Sequence, residues 1–329
     1  MTTLITGVSG FTGGHLACFL AGRGERVRGL VRPSSLKKSD YLLSSDVELV
    51  QGDLTDRRSL DDACQGVQTV YHVAASYRTA GQSDRVYREV NVVGTESLLQ
   101  AAVSAGVKRF VHCSTGGVHG HIQNPPADED APLAPGDIYQ ETKLEAESLV
   151  RTVGQQEQID TVIVRPIGIY GPGDTRFLKM FRGIYNQTFP ILGSGEVFYH
   201  LTYIDDLVEG LRLCGDLPEA VGNTYLLAGP SFTTLKELTS VIASEFGVSP
   251  PQLHLPVWPV WLAGALCEAI CIPLGLEPPL YRRRVEFFTK SRAFDTTRAQ
   301  TDLGYIPKVD LKTGVHMTAA WYRAQGWLA

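Results

Sequence analysis

The feature that most constrains this chain is a set of three glycines directly after its first apolar run. Residues 4–16 read LITGVSGFTGGHL, which places Gly7, Gly10 and Gly13 between a strand-like run and an amphipathic stretch. Glycines at this spacing permit a tight turn and a close approach of the backbone to a phosphate, and a helix N-terminus attracts negative charge. The pattern therefore predicts a strand, a turn and a helix that bind the pyrophosphate of a dinucleotide, with Phe11 and Thr12 in the same turn.

Short apolar runs recur along the first half of the chain, with amphipathic stretches between them. They fall at 3–6, 27–31, 47–50, 69–72, 110–113 and 161–164. Such runs are typical of parallel strands joined by crossover helices. We expect an α/β fold, a Rossmann-type doubly wound parallel sheet in residues 1–172, with a smaller C-terminal substrate-binding lobe in residues 173–329 that is interleaved with late elements of the sheet. In that lobe the pattern predicts a strand at 197–203 and helices at 234–246 and 311–325.

Composition and charge exclude several classes of function. The net charge of −5 gives no general attraction to nucleic acid. The six cysteines lack the paired spacing of a zinc site, so no metal is expected. Because the N-terminal residues do not read as a secretory signal, we expect a protein of the reducing cytoplasm.

One apolar stretch is long enough to resemble a membrane span. Residues 253–276 read LHLPVWPVWLAGALCEAICIPLGL, and prolines at 256, 259 and 273 together with Glu268 interrupt them. The pieces are shorter than the roughly 20 apolar residues that a bilayer requires. We expect a buried helix or the apolar wall of a substrate pocket instead of a span.

The end of the second predicted strand indicates the cofactor type. Arg32 stands near the position where an acidic side chain would bind a free ribose hydroxyl, and Ser34 and Lys37 follow it. Cationic and hydroxyl groups there suit a 2′-phosphate, which favours NADP over NAD, although an arginine stacked on adenine is compatible with NAD. Asp53, after the third strand, either binds the adenine amino group or caps a helix.

Tyr139 and Lys143 form a candidate acid/base pair. Their spacing of four residues places both on one face of a helix. An ammonium group beside a phenol favours the phenolate, so Tyr139 can exchange a proton with a substrate hydroxyl. Ser114 and Thr115 end an earlier strand with two more hydroxyls. Beside a nicotinamide cofactor, this set predicts the interconversion of a secondary alcohol and a ketone, and epimerisation if the ketone is reduced on its other face.

Taken in order, the motifs resemble those of the extended short-chain dehydrogenase/reductases, and more narrowly the NAD-dependent epimerase/dehydratase family. Besides the glycine turn, the matching segments are 52–53, 72–75, 91–95, 114–115, 139–143, 165–166, 170–174, 203–206 and 294–305. The resemblance implies that Thr115 bonds the reacting oxygen, with Ser114 as the alternative, that Tyr139 is the acid/base, and that Lys143 holds the nicotinamide ribose. It also implies cofactor contacts from Leu54, Ala74, Ala75, Pro166 and Ile169. Asn91 is either a support of the site or a helix cap.

The resemblance leaves the substrate open between two classes. A nucleotide-diphosphate sugar is the first, for an epimerase or ketoreductase, with Arg284 near the position of a pyrophosphate-binding arginine and with Tyr199 and His119 as further contacts. The run 282–284 is equally compatible with a solvated helix face, and the arginine that many sugar-nucleotide enzymes carry before Tyr203 is missing.

The second class is an apolar alcohol, as in the 3β-hydroxysteroid dehydrogenases and dihydroflavonol reductases, with Trp258 and Trp261 near the substrate. A dehydratase is disfavoured because Gly116 and Gly117, not acids, follow Thr115. Binding of a dinucleotide without turnover is a remote alternative. The resemblance also implies a homodimer that pairs through helices near 91–105 and 138–153.

Overall fold

Strands form where the sequence is rich in buried β-branched and aliphatic residues. The computed structural model describes residues 2–77, 82–157, 159–271, 274, 276, 278, 280 and 282–328, without the side chains of 40, 41, 283 and 284. The strands are β1 (Thr2–Thr6), β2 (Arg26–Val31), β3 (Val47–Gln51), β4 (Thr69–His72), β5 (Arg109–Cys113), β6 (Asp160–Pro166), β7 (Ile169–Tyr170), β8 (Ile191–Leu192), β9 (Phe198–His200), β10 (Thr202–Tyr203), β11 (Thr224–Leu227), β12 (Phe232–Thr234) and β13 (His254–Leu255).

Helices connect the strands. They are α1 (Phe11–Gly22), α2 (Arg57–Cys64), α3 (Asp84–Arg88), α4 (Gly94–Ser104), α5 (Ile138–Gln156), α6 (Leu178–Tyr185), α7 (Ile204–Asp216), α8 (Leu235–Glu245), α9 (Val257–Cys271), α10 (Arg282–Glu286), α11 (Thr297–Leu303) and α12 (Leu311–Ala324). Two irregular helical segments matter for the site: a 3₁₀ segment at Pro33–Ser45 and a π-helical turn at Glu89–Val93.

The main sheet has seven strands in the order β11-β6-β5-β4-β1-β2-β3. All its pairings are parallel. The six strands expected from the apolar runs are present, and β11, from beyond residue 172, adds a further edge strand. Strand order reverses between β1 and β4, and such a switch point is where open α/β sheets bind ligands.

Hydrophobic cores lie on both faces of the sheet, as a doubly wound fold requires. One core includes Leu16 and Leu20 of α1 with Leu207 of α7. The other includes Leu60 of α2 and Leu98 of α4. The predicted fold class is therefore confirmed.

The later part of the chain adds small two-stranded sheets and helices. The strand expected at 197–203 is divided at Leu201 into β9 and β10, which pair with different partners, β12 and β7. The helices expected at 234–246 and 311–325 form as α8 and α12, with ends shifted by about one residue, as helix boundaries often are.

The described residues of the apolar stretch at 253–276 neither form a buried helix nor line the large cavity of the fold, so the expectation of a buried helix or a pocket wall was wrong for them. Within α9, Gly264 is the single buried position, and Trp258 is 70% exposed. Apolar composition indicates burial only if neighbouring elements cover the helix, and here the described part of the chain leaves its outer side open. No helix among the described residues has the length and hydropathy needed to cross a bilayer.

Candidate functional site

A cavity of about 1520 Å³ opens along the carboxyl ends of the central strands. It begins at the turn after β1 and extends past the ends of β4, β5 and β6. The carboxyl ends of parallel strands are where this class of sheet binds its ligands. Every described residue expected to contact the cofactor lies in its wall except Lys143: Gly7, Gly10, Phe11, Thr12, Gly13, Arg32, Asp53, Leu54, Ala74, Ala75, Tyr139, Pro166 and Ile169.

The glycine turn has no room for side chains. Gly7 has φ of +75°, and a Cβ there would lie 2.8 Å from Ala74 Cα. A Cβ on Gly13 would lie 2.3 Å from the carbonyl oxygen of Gly7. Gly10, the N-cap of α1, gives the first turn no side-chain hydrogen bond. Phe11, Thr12 and Gly13 of the first turn line the cavity, so the N-terminus of α1 lies at its wall, an arrangement that fits the pyrophosphate of a dinucleotide.

The 3₁₀ segment after β2 determines which side chains that follow this strand line the cavity. Arg32, Ser35 and Lys38 are in the wall, whereas Ser34 and Lys37, which the sequence suggested, are not among its described residues. A 3₁₀ helix has about three residues per turn, so positions three apart lie on one face. Ser34 and Lys37 lie off that face, so the structure does not bring these two residues to the cavity as the sequence suggested.

Asp53 is held in a local turn and does not cap α2. One of its carboxylate oxygens accepts hydrogen bonds from Thr55 N–H at 2.9 Å and Thr55 Oγ1 at 2.8 Å. The cap of α2 is Asp56, whose carboxylate accepts from Arg58 N–H at 3.2 Å. Asp53 thus stays at the cavity wall, in a fixed orientation.

The proposed acid/base pair begins α5. Tyr139 lines the cavity, and its ring meets that of Tyr77 edge to face at 4.8 Å. Lys143 lies one turn further and is buried behind it. Burial lowers the pKa of Lys143 from 10.5 to about 8, against the opposing effects of Cys113 and Glu147. Its ammonium form therefore still predominates at neutral pH.

The two hydroxyls after β5 are not equivalent. Ser114 is buried and donates to Glu147 Oε1 at 2.6 Å. Thr115 Oγ1 accepts from Gly117 N–H at 3.1 Å, which leaves its own hydrogen for another acceptor. Both residues line the cavity, but the geometry favours Thr115 as the donor to a substrate oxygen.

His119 lies outside the cavity wall, in a buried charged cluster. Its Nε2 is 3.0 Å from Arg165 Nη1, and its ring packs on Phe294 at 5.5 Å. The Arg165 guanidinium also forms a bidentate pair with Glu147, at 3.0 and 2.7 Å. The expectation that His119 contacts substrate was wrong because this cluster occupies its side chain. Glu147, one turn after Lys143, is a residue that the sequence analysis missed.

Asn91 supports the site and does not cap a helix. From the π-helical turn, its side-chain oxygen accepts from Ser76 N–H at 2.7 Å, and its amide donates to the Ser76 carbonyl at 3.1 Å and to Thr142 Oγ1 at 3.0 Å. Thr142 in turn donates to the carbonyl of Tyr139 at 3.0 Å. Asn91 thereby ties the loop after β4 to the start of α5, where Tyr139 lies.

A hydrogen-bond chain continues from Asn91 to the glycine turn. The Thr95 hydroxyl donates to the Asn91 carbonyl at 2.6 Å, so it accepts from His72 Nε2 at 2.9 Å. Thr6 Oγ1 accepts from Ala74 N–H at 3.1 Å, so its hydrogen is directed to His72 Nδ1 at 2.9 Å. The network therefore assigns His72 as the neutral Nε2–H tautomer.

His112 lies beside His72 in the sheet, with ring centroids 5.4 Å apart. Neither ring nitrogen of His112 has a hydrogen-bond partner among the described residues. Burial, with Lys143 as a lesser cause, lowers the pKa of both imidazoles well below 6.5. Both histidines are therefore neutral in the folded protein.

The far half of the cavity is lined mainly by aromatic side chains. Phe189 packs on Phe288 at 5.9 Å, and Phe287 packs on Phe288 at 5.1 Å and on Tyr199 at 4.9 Å. Tyr199, expected to contact substrate, is in this wall. The phenylalanines were missed, although the pair at 287–288 was visible in the sequence.

Two polar atoms in the aromatic half lack partners. Tyr199 Oη and Arg292 Nε are buried without a hydrogen bond among the described residues. Trp258 and Trp261, expected near an apolar substrate, are absent from the described wall. The side chain of Arg284 lies outside the described residues. Arg282 instead pairs with Glu268 at 2.6 Å.

This combination of a parallel sheet, a glycine turn and a tyrosine–lysine pair at one cavity defines a dinucleotide-dependent oxidoreductase. The model of the NAD dependent epimerase/dehydratase family matches residues 3–228, more than half of the chain. The chain belongs to that family, as the motifs predicted, and is a nicotinamide-dependent enzyme of the extended short-chain dehydrogenase/reductase type.

The relatives of this chain include sterol enzymes. The chain is 30% identical to sterol demethylase protein B of Methylococcus capsulatus, over 100% of both chains. It is 29% identical to 3beta-hydroxysteroid-dehydrogenase/decarboxylase isoform 2 of Arabidopsis thaliana, with 84% of this chain and 52% of that protein covered. The chain thus spans about half the length of the latter relative.

Solved structures share the fold over the whole chain. The crystal structure of gox2253 superposes with a TM-score of 0.84 at 30% identity and covers 100% of this chain and 99% of that one. A mutant of UDP-glucuronic acid 4-epimerase from Bacillus cereus superposes with a TM-score of 0.79 at 23% identity. The match covers 99% of this chain and 100% of that one. At that identity the second likeness concerns the fold alone.

Proposed function

We propose that this protein is an NAD(P)-dependent dehydrogenase of a secondary alcohol on a large apolar molecule of sterol-like chemistry. The observation that carries the proposal is the aromatic far half of the cavity, formed by Phe189, Phe287 and Phe288 beside Tyr199. Burial of a fused apolar ring system against such a wall would supply the binding free energy. The sterol enzymes among the relatives support the same class of substrate.

The positions of Thr115, Tyr139 and Lys143 support the catalytic roles that we propose for them. Thr115 donates a hydrogen bond to the substrate oxygen, and the Tyr139 oxygen takes the hydroxyl proton during oxidation and returns it during reduction. Lys143 stabilises the phenolate by its charge and holds the nicotinamide ribose. Hydride transfer to or from the substrate carbon is the chemistry that a bound nicotinamide would supply beside these residues.

We propose that NADP is preferred to NAD, as the sequence suggested. Arg32 and Lys38 supply two cations at the adenosine end, and Ser35 adds a hydroxyl. These groups suit a 2′-phosphate.

A nucleotide-diphosphate sugar is the second candidate substrate. Arg292 Nε, buried in the far half without a partner among the described residues, would suit a phosphate oxygen. Lys179 also lines the cavity. A sugar nucleotide would turn the same alcohol–ketone chemistry into epimerisation.

Turnover assays separate the two candidates. We expect purified protein to reduce NADP⁺ with a 3β-hydroxysteroid, and Tyr139→Phe to abolish the signal. Uridine diphosphate at millimolar concentration should not inhibit. Epimerisation of a uridine diphosphate sugar without steroid turnover, with inhibition by uridine diphosphate that Arg292→Gln removes, would overturn the proposal in favour of the second candidate.

We further propose a homodimer that pairs through α4 and α5, which pack side by side in one subunit.

We also propose that residues 1–172 bind the cofactor and 173–329 mainly the substrate, since the aromatic wall comes from the later part. A cytoplasmic location is proposed because all six cysteines are free thiols. Analytical ultracentrifugation tests the dimer, and a monomer at micromolar concentration would contradict it.

A further inference from the structure

Helix α9 has an apolar outer face, defined here as Trp258, Trp261, Leu262, Leu266 and Ile270. These side chains are 70%, 48%, 46%, 56% and 61% exposed. Four of them follow at intervals of four residues and form one stripe along the helix. A helix on the surface of a globular protein ordinarily carries charged and polar residues on its outer side. This one presents tryptophan, leucine and isoleucine there, so something other than water covers it in use.

The one charged residue within α9 is paired with a neighbouring side chain. Glu268 is the single ionisable acid of α9, and its carboxylate pairs with Arg282 Nε at 2.6 Å. The Arg282 guanidinium also lies over the Trp261 ring at 5.6 Å. The paired charges therefore oppose insertion of the helix into a less polar medium much less than a lone carboxylate would.

We propose that the apolar face of α9 docks on the surface of a lipid bilayer. The helix would lie flat in the interfacial layer, because its apolar stripe runs along its axis. Trp258 and Trp261 suit that layer, where indole rings place an apolar body and a polar N–H at the boundary. The stripe from residue 258 to 270 is about 18 Å long, at 1.5 Å per residue, so the contact is lateral and does not cross the membrane.

The size of the apolar face favours lipid over a second copy of the chain. If a fully exposed large side chain presents about 200 Å², the five exposed fractions leave on the order of 500 Å² of apolar surface. A stable protein interface buries about 800 Å² on each partner. The helices proposed for the dimer, α4 and α5, are different elements. A bilayer has no such minimum, because each inserted side chain contributes separately.

The apolar face is connected to the cavity through α10. Helix α9 packs against α10, and Phe287 and Phe288, directly after α10, form part of the aromatic wall. Docking would therefore place the substrate half of the cavity near the bilayer. If the proposed apolar substrate is correct, that substrate could enter from the membrane without crossing water; this last step rests on the proposed function, whereas the docking itself does not.

Vesicle flotation of the full-length protein tests the docking. We expect the parent to float with phosphatidylcholine vesicles and the double variant Trp258→Glu/Leu266→Glu to lose about tenfold or more of its partition coefficient, since two apolar contacts become charged. The matched control is Ile306→Glu, because Ile306 is 73% exposed but lies outside the apolar face. It should float like the parent. Melting temperature and cofactor affinity of the double variant should match those of the parent, since the altered side chains are exposed.

Several outcomes would overturn the docking. Failure of the parent to bind phosphatidylcholine vesicles, with or without phosphatidylserine, would be one such outcome. Loss of vesicle partition by the Ile306→Glu control as large as that of the double variant would be another. A lipid-free dimer that the double variant converts to a monomer would show that a second copy covers the face. Activity on detergent-solubilised steroid separates the proposals, because the double variant should retain it even though it no longer binds vesicles.

Discussion

Burial of Lys143 suits the proposed catalytic role of this side chain but lowers the stability of the folded protein. The lowered pKa means that the unfolded chain binds a proton more tightly than the folded protein does between about pH 8 and 10.5. The cost to folding is thus fully present below about pH 8 and declines as the pH rises towards 10.5. A charge kept in a buried position at such a cost is typical of a functional site.

Lys143→Met should therefore stabilise the protein while it removes activity. We expect the free energy of unfolding at neutral pH to rise by up to about 3 kcal/mol, because the pKa shift from 10.5 to about 8 corresponds to about 1.36 kcal/mol per unit. Urea denaturation of the cofactor-free protein measures it. The gain should shrink as the pH approaches 10.5. Lys312→Met, at an exposed position of α12, should change stability by less than about 0.5 kcal/mol. A destabilised Lys143→Met would contradict the argument.

Tyr139→Phe separates proton transfer from binding. The variant keeps the ring that contacts Tyr77 but loses the oxygen, so we expect kcat to fall by about 10²- to 10⁴-fold with little change in cofactor affinity. Steady-state kinetics and cofactor titration provide the two measurements. Tyr185→Phe, on α6 and outside the described cavity wall, is the matched control and should keep parental kcat. Activity of Tyr139→Phe within a fewfold of the parent would rule out the assignment.

At the scale of single residues, the sequence was sufficient to identify functional residues whose positions are set by local secondary structure. The glycine turn, Thr115 and the Tyr139–Lys143 pair belong to local strand–turn or helix patterns. The structure brings the glycines, Thr115 and Tyr139 to one cavity and buries Lys143 directly behind its wall. Glu147 and the role of Asn91 depend on pairing between distant segments, for example of Asn91 with Thr142. His119 was misassigned for the same reason, since its partner Arg165 comes from another strand.

At the scale of elements, the 3₁₀ segment after β2 decides which cations reach the adenosine end. Lys38 lines the cavity and its neighbour Lys37 does not. Lys38→Ala should therefore raise the dissociation constant of NADP by about 10-fold, the scale of one charge-assisted bond, and leave that of NAD nearly unchanged. Lys37→Ala should alter neither. Calorimetric titration of each of the two variants with NADP and with NAD measures these changes. Equal effects of the two substitutions would contradict the conclusion that Lys38, and not Lys37, lies on the cavity side of the 3₁₀ segment.

The type of a secondary-structure element could be predicted where the sequence pattern was periodic. The solvent exposure of the element could not. The parallel strands follow from their apolar runs, yet the same reasoning placed α9 in the interior. A helix that is apolar on all sides is compatible with burial, but its sequence does not say which elements cover it. The packing of α9 against α10 leaves five large side chains exposed, which only the tertiary structure reveals.

At the scale of the whole molecule, a buried ionic cluster links distant parts of the chain. Arg165 of β6 pairs with Glu147 of α5 and donates to the carbonyl of Glu129 at 3.0 Å. The Glu129 carboxylate accepts from Leu226 N–H at 2.9 Å and lies 3.6 Å from Arg298. The cluster thus joins α5 and the sheet to α11 in the later part of the chain.

Glu147→Gln should weaken this connection more than a surface substitution would. The variant leaves the buried Arg165 guanidinium without its counter-charge, so we expect a loss of about 3–5 kcal/mol in the free energy of unfolding. Glu145→Gln, two residues away on the exposed side of α5, removes only a surface pair with Arg88 and should cost less than about 1 kcal/mol. Denaturant unfolding compares the two, and equal losses would show that the cluster is not what stabilises the fold.

The neighbouring imidazoles of His72 and His112 make the stability of the folded protein sensitive to acid. Both remain neutral in the folded protein because their pKa values lie well below 6.5, whereas the unfolded chain takes up protons at each as the pH falls through that value. Stability should therefore decline with acidification from about pH 6.5 downward. The two histidines face each other on the paired strands β4 and β5, and β4 also pairs with β1, the strand that leads into the glycine turn. The acid-sensitive groups of the fold therefore lie in the part of the sheet that carries this turn.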